Sequence, residues 1–222
     1  MTEAIDQDLI HGKIGCRRLT AADRQVMLDF LLHHFLPREP ICKVMEKLYP
    51  GKVAEVLKDR YSQICAWNNA SLIAYNKQTG ENVGIIFGSL RSVADKKVTT
   101  PNNELALVLR LFDALNKDLP SYVGDGQYLR VAWSTVKDTY CRQRIMTKIR
   151  KRLELVAKEL KCSYITSESS SIYTQKITKN LGYSLKNEIK FVDHVDPVTG
   201  TRIMKDVEPP HYCIRLMIKQ ID

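Results

Sequence analysis

YLRVAWSTVKDTYCRQRIMTKIRKRLELVAKEL, running from Tyr128 to Leu160, decides how the chain is read. Its first nine residues, Tyr128–Val136, read as a central strand. After a short polar link, residues 142–160 form the clearest helical pattern in the sequence. There Ile145, Ile149, Leu153, Val156 and Leu160 recur at steps of four, four, three and four. A helix that starts directly after a central strand aims unpaired backbone N–H groups, and the positive end of its dipole, at the sheet's edge. That arrangement suits a phosphate. Arg142, Arg144, Lys148, Arg150, Lys151 and Arg152 add six cations within eleven residues. They serve either an anionic ligand or a solvated basic face, and the residues alone leave both open.

On the N-terminal side, residues 14–19 read as a short strand. Thr20 then opens a helix, with Asp23 placed as in a capping box. Val26, Met27, Phe30, Leu31 and His34 keep helical spacing until Pro37 ends it, and a second helix is expected over Lys52–Ile64. Strands at 71–76 and 82–90 flank Lys77-Gln78-Thr79-Gly80-Glu81, a hairpin connection with Gly where a positive φ is wanted. Residues 91–103 read as a loop, 104–115 as a well-buried helix and 121–127 as another loop. Beyond Leu160 come a strand (163–167), a short helix (172–180), a strand after Leu181-Gly182-Tyr183, a loop (196–208) and a last strand (211–219). No repeat, low-complexity tract or long linker divides the chain. The expectation is one α/β domain with a mixed sheet over residues 14–222, preceded by a flexible segment, 1–13.

Composition narrows the class. Of 222 residues 44% are apolar and 27% charged, enough to build a core and keep a polar surface. No apolar run approaches the roughly 18 residues of a membrane span, and the acidic, polar start MTEAIDQDLIHGK does not resemble a secretory signal. The six cysteines (Cys16, Cys42, Cys65, Cys141, Cys162, Cys213) are scattered with no C-x-x-C pair, so no metal site is expected. Free thiols in the cytoplasm are expected instead. The excess of 34 Lys and Arg over 25 Asp and Glu favours an anionic partner. A nucleic acid is disfavoured, because RNP-like aromatic motifs and zinc spacings are absent.

Two further stretches could carry chemistry. Thr166–Thr174, TSESSSIYT, holds six Ser and Thr hydroxyls in nine residues, more than one helix cap requires. Pro37-Arg38-Glu39-Pro40 holds a carboxylate between two prolines, which suits a general base and equally describes an exposed loop charge. Cys141 lies at the turn before the long helix but has no His near it in sequence, so no covalent intermediate is expected.

The order of elements resembles the GNAT superfamily of acyl-CoA-dependent N-acetyltransferases, and more closely its arylalkylamine N-acetyltransferase-like branch of insects and other invertebrates. The resemblance runs from about Ile14 to Lys219. Its anchors are Phe35-Leu36-Pro37-Arg38-Glu39-Pro40, similar to the branch's F-x-x-x-E-P motif, and Ser170-Ser171-Ile172-Tyr173-Thr174 followed by Asn180-Leu181-Gly182-Tyr183, similar to S-S-x-Y-S…K-L-G-F. It implies a single domain with a mixed, mostly antiparallel central sheet flanked by helices. It also implies acetyl transfer from acetyl-CoA, as co-substrate, to a small primary amine such as an arylalkylamine, by direct attack in a ternary complex. Glu39 then falls on the base that acts through water, Ser170 on the hydroxyl that assists proton movement, and Thr174 on the later hydroxyl. Thr135 and Val136 would meet the acetyl and pantetheine portion with their backbone. Arg142, Gln143, Arg144, Ile145, Met146, Thr147 and Lys148 would cradle the pyrophosphate, with Tyr173 also in the CoA-binding set. A monomer is expected.

One departure is large. Where the family has R/Q-x-x-G-x-G/A, this chain has Cys141-Arg142-Gln143-Arg144-Ile145-Met146. Small residues there let a pyrophosphate approach the backbone. Either Arg144 turns outward and pairs with a CoA phosphate, which keeps an acetyltransferase, or the protein is a catalytically inactive relative that only binds through the same groove.

Overall fold

Ile145, Ile149, Leu153 and Val156 share one stripe of a helix, and burial of that stripe organises one whole face of the molecule. Each such side chain contributes about 1.5–3 kcal/mol when removed from water. The computed structural model describes residues 8–64, 70–95 and 105–221, and of residues 60–64 the backbone alone. In chain order the elements are β1 (Ile14–Arg18), α1 (Arg24–Asp29), α2 (Pro40–Leu48), α3 (Lys52–Ile64), β2 (Leu72–Asn76), β3 (Asn82–Arg91), α4 (Leu105–Leu115), α5 (Leu119–Val123), β4 (Tyr128–Val136), α6 (Ile145–Glu159), β5 (Tyr164–Ser169), α7 (Ile172–Asn180), β6 (Ser184–Lys190) and β7 (Cys213–Gln220).

The strands form one seven-stranded sheet in the order β1-β2-β3-β4-β5-β7-β6. Every neighbouring pair is antiparallel except β4 and β5. That exception follows from α6, whose length carries the chain back to start β5 at the same end as β4. The sheet is therefore mixed and mostly antiparallel, as expected. Leu72, Ala74, Ile86, Leu129, Val131 and Ile165 face α6 on one side. On the other side α1 covers Ile73, Ile85, Phe87 and Trp133, while α4 and α5 cover Ile214, Leu216 and Ile218.

Several expectations needed correction. A helix not expected from the sequence, α2, starts at Pro40, three residues after the Pro37 that ends the first pattern, and its Ile41, Val44 and Met45 are buried. Residues 119–123, partly assigned to a loop, form α5, with Pro120 in its first turn. The long helix begins at Ile145 rather than residue 142, because the three residues before it build a turn. A short 3-10 turn, Ile203–Asp206, interrupts the expected loop over 196–208. Of the segment 1–13 expected to be flexible, residues 1–7 lie outside the described residues. Residues 8–13 make a turn instead, held by the Leu9 N–H donating to the Ile14 carbonyl at 2.8 Å, with Leu9 buried. Of the loop expected at 91–103, Arg91 belongs to β3 and residues 96–103 lie outside the described residues, as does Cys65. Among the described residues no helix is long and apolar enough to cross a membrane.

Asp23 shows how local sequence fixes the entry to α1. The capping box is present: Asp23 Oδ2 accepts from the Thr20 N–H and hydroxyl, both at 2.9 Å. Arg17 of β1 donates to both carboxylate oxygens at 2.7 Å. The Arg17 guanidinium holds the Asp23 carboxyl down at about 2, against an ordinary 3.8. Stabilisation from this group is therefore complete above about pH 4 and is lost as pH falls through about 2. Asp23→Ala should cost about 1–2 kcal/mol at neutral pH. Thermal melts should show it about 3–6 °C below the parent at pH 7, with the gap closing near pH 2.

Candidate active site

The site begins where two strands part. β4 and β5 pair from Tyr128 with Tyr164 to Val131 with Ser167, and there the ladder stops, although β4 continues to Val136 and β5 to Ser169. The cause lies on the far side of β4. Against β3, Val131 faces Gly88 and Trp133 faces Phe87, which leaves Ala132 as an extra residue. A bulge of this kind bends its strand and increases the local twist. Opposite the bulge, Gly88 of β3 packs closely on Ala70: a Cβ there would stand 2.3 Å from the Ala70 carbonyl oxygen.

Beyond the bulge the peptide groups of β4 alternate between β3 and the opening. The Lys137 N–H donates to the Val83 carbonyl at 2.9 Å, so Thr135, two residues back and opposite Ile85, also spends its peptide groups on β3. Ser134 and Val136 turn theirs toward the opening. Of the two residues expected to offer backbone groups, Val136 does so and Thr135 does not; Ser134 takes its place. Thr135 contributes a hydroxyl, which donates to the His34 carbonyl at 2.7 Å.

A cleft of about 450 Å³ occupies this opening and continues between the helices on the other face. Glu39, Ser170, Thr174, Thr135, Val136, Met146 and Tyr173 all border it. Glu39 is the residue that caps α2. Its Oε2 accepts from the Cys42 N–H at 2.6 Å, and its Oε1 accepts from the Ser170 hydroxyl. The carboxylate is thus fixed by the helix it starts and by the end of β5, rather than by its flanking prolines alone. Thr174 stands one turn into α7. Tyr173 is exposed and packs edge-on against His211, ring centroids 5.8 Å apart.

Three functional candidates escaped the sequence reading. Arg38 reaches from the end of the first helical segment to the Thr135 hydroxyl at 2.5 Å, the Val136 carbonyl at 2.7 Å and the Asp138 carboxylate. It ties that helix end to the tip of β4. His211 also borders the cleft, its Nδ1 accepting from the Ile172 N–H at 3.3 Å. Burial pushes its pKa down, and the Glu39 carboxylate pulls the other way. Arg150, one of the six cations for which the sequence leaves a ligand and a solvated face both open, is 1% exposed and borders the cleft at the parting strands. A helical period places residue 150 beside Met146 and Ile149, and that spacing was the available signal.

The turn before α6 resolves the question of bulk. Arg142 and Arg144 adopt the left-handed conformation, with φ of 64° and 59°. Non-glycine residues do so at a cost of roughly 1–2 kcal/mol each. Arg142, Gln143 and Arg144 carry their side chains into solvent, as does Lys148, and none of these four borders the cleft. Ile145 is buried and offers only its amide, Thr147 is half-buried, and Met146 forms part of the cleft wall. The first helical bond runs from the Lys148 N–H to the Arg144 carbonyl at 3.1 Å, and the N–H groups of residues 142–147 have no partner among the described residues. Among those residues no group of three or more His, Cys, Asp or Glu could hold a metal ion.

No family model and no curated protein matches the sequence. Solved structures do match the fold. Arylalkylamine N-acetyltransferase 2 from Aedes aegypti superposes with a TM-score of 0.81 at 17% identity, covering 94% of this chain and 99% of that one. A putative arylalkylamine N-acetyltransferase 7 from the yellow fever mosquito gives 0.80 at 14% identity, covering 94% and 88%. The polyamine N-acetyltransferase of Drosophila melanogaster gives 0.73 at 17%, covering 93% and 99%. The chain therefore has the fold of the arylalkylamine N-acetyltransferase-like GNAT enzymes.

Strain in the turn is testable without any ligand. Arg144→Gly relieves the left-handed backbone but adds freedom to the unfolded chain, so its stability should lie between unchanged and about 1 kcal/mol higher. Arg144→Val should lose at least about 1 kcal/mol in urea unfolding. Equal losses for both variants would show that the Arg144 side chain, not its φ, governs the turn.

Proposed function

We propose that this protein transfers an acetyl group from acetyl-CoA to a small primary amine by direct attack, with both substrates bound together. The observation that carries this reading is the pinned carboxylate of Glu39 facing the same opening as the outward peptide edge of β4 and Met146, whose turn holds the unpartnered amides of residues 142–147. An amine reaches the protein as an ammonium ion and must lose a proton before it can attack. Glu39 takes that proton, directly or through water. The nitrogen lone pair then forms a bond to the thioester carbon. The C–S bond breaks with its electron pair on sulfur, the nitrogen gives up its second proton to the departing thiolate, and the first passes from Glu39 to solvent, giving an amide and CoA. Ser170, which donates to Glu39, orients the carboxylate for this exchange. Outward N–H groups of Ser134 and Val136 are placed to receive the developing oxyanion. Holding both partners in one cleft replaces an encounter in solution, so no covalent enzyme intermediate is needed.

The nucleotide tail fits the turn at residues 142–147, where consecutive amides and a helix N-terminus favour phosphate. Arg142, Arg144 and Lys148, exposed around it, supply charge-assisted contacts. Active transfer is favoured over the inactive alternative because Arg142 and Arg144 keep the backbone shape a glycine would give and stand outside the cleft. The acceptor half is lined by Phe35, Ile41, Met45, Val53, Leu57 and Phe112, and its other carboxylate, Glu168, is paired to Arg130 at 3.0 Å. Such walls suit an amine with an apolar body, an arylalkylamine rather than a polyamine. Among neighbours of the same fold, one is named for arylalkylamine acetylation, in line with this choice, and another for polyamine acetylation. We expect a monomer working in the cytoplasm, with its thiols reduced.

Calorimetry with acetyl-CoA is the direct test, and no heat of binding at millimolar ligand would end the proposal. Given binding, Glu39→Gln should lower turnover about 100-fold while leaving the affinity for acetyl-CoA within about twofold. Unchanged turnover would remove Glu39 from the mechanism.

A further inference from the structure

Arg150 stands where α6 passes beneath the point at which β4 and β5 part. Its Nη2 donates to the Ser134 hydroxyl at 3.2 Å and its Nη1 to the Ser167 hydroxyl at 3.4 Å. Ser167 belongs to the last paired position of β5, and Ser134 to the unpaired part of β4. The guanidinium therefore bridges the vertex of the opening. Tyr183 is its other neighbour, also a hydroxyl. Nε has no partner, and no carboxylate forms an ion pair with Arg150 among the described residues. Glu154, one turn further along α6, is taken by Lys219 at 2.8 Å.

A guanidinium carries five N–H donors and keeps its charge at neutral pH even when buried. Two hydroxyl partners, both neutral, leave that charge uncompensated, and an unpaired buried ion costs several kcal/mol. Packing alone would be served better by an apolar residue, as at Ile149 and Leu153 on the same helix. Arg150 nevertheless borders the cleft beside Met146.

We propose that Arg150 receives a carboxylate carried into the cleft by the acyl donor, so that the protein takes CoA monothioesters of dicarboxylic acids in preference to acetyl-CoA. This rests on the acyl-transfer reading above and names the donor for that same site. A carboxylate could also come on the amine, as in an amino acid. Position favours the donor, because Arg150 lies on the α6 face at the strand vertex, whereas the acceptor half across the sheet is walled by apolar side chains. The chemical step is unchanged: the N–C bond forms, the C–S bond breaks toward sulfur, and the distal carboxylate stays bound to Arg150 throughout.

The test is calorimetric titration of the full chain with CoA, acetyl-CoA, malonyl-CoA and succinyl-CoA, with glycine and β-alanine titrated into the CoA complex. Malonyl- or succinyl-CoA should bind at least 10-fold more tightly than acetyl-CoA. In Arg150→Met that preference should fall below twofold, with acetyl-CoA binding retained and thermal stability equal or higher. Arg150→Lys should keep part of the preference, and the wild-type comparison stands even if the methionine variant does not fold. Equal binding of acetyl- and succinyl-CoA by the wild type overturns this inference alone, whereas failure of every thioester to bind overturns the acyl-transfer reading as well. Arg150-dependent binding of the amino acids, with no preference among thioesters, overturns the assignment to the donor.

Discussion

One inserted residue, Ala132, sets the conditions for the rest of the site. A parallel pair of strands normally satisfies every peptide group between them. Here the bulge turns β4 away after Val131, and the peptide groups of Ser134 and Val136 are left without a strand to face. In a buried sheet such groups would be a serious defect. The chain keeps the defect and lines it, with Glu39 and Ser170 on one side, Met146 and Arg150 on another, and the guanidinium of Arg38 on the Val136 carbonyl. Chemistry is possible in this fold because the ladder is incomplete.

Two arginines treat that opening differently. Arg38 is partly exposed, pairs with Asp138, and uses its remaining donors on carbonyl and hydroxyl oxygens, so its charge is answered within the protein. Arg150 is buried and meets only hydroxyls. Partner chemistry, rather than residue type, separates a structural cation from one that awaits a ligand. The same criterion applies to the acids. Asp23 and Glu168 are paired with arginines, whereas Glu39 is held by neutral hydrogen-bond donors, the Cys42 N–H and the Ser170 hydroxyl.

Local physics made much of the fold readable. α7 was expected at residues 172–180 and lies there, because a Ser cap, helical spacing and a Leu-Gly turn all agree. The hairpin between β2 and β3 and the stripe of α6 were equally legible. α2 is hidden in the sequence because Pro37-Arg38-Glu39-Pro40 follows the end of one helical pattern, although Pro40 is equally at home in the first turn of the next helix. The bulge at Ala132 has no signature in residue type, and neither does the contact of Glu39 with Ser170, which are 131 positions apart. The resemblance to a family brought those two residues into one hypothesis; spacing could not. Nothing in the run of six cations separates buried Arg150 from its exposed neighbours, and only its helical spacing from Met146 sets it apart.

The left-handed arginines before α6 have a further consequence. Glycines in such a turn would sample many backbone shapes, and an arriving anion would have to select one. At Arg142 and Arg144 the alternatives are sterically thinned out, so the loss of disorder is incurred when the chain folds instead of when it meets a ligand. Under the acyl-transfer reading, capture of a phosphate there would be limited by encounter rather than by loop ordering.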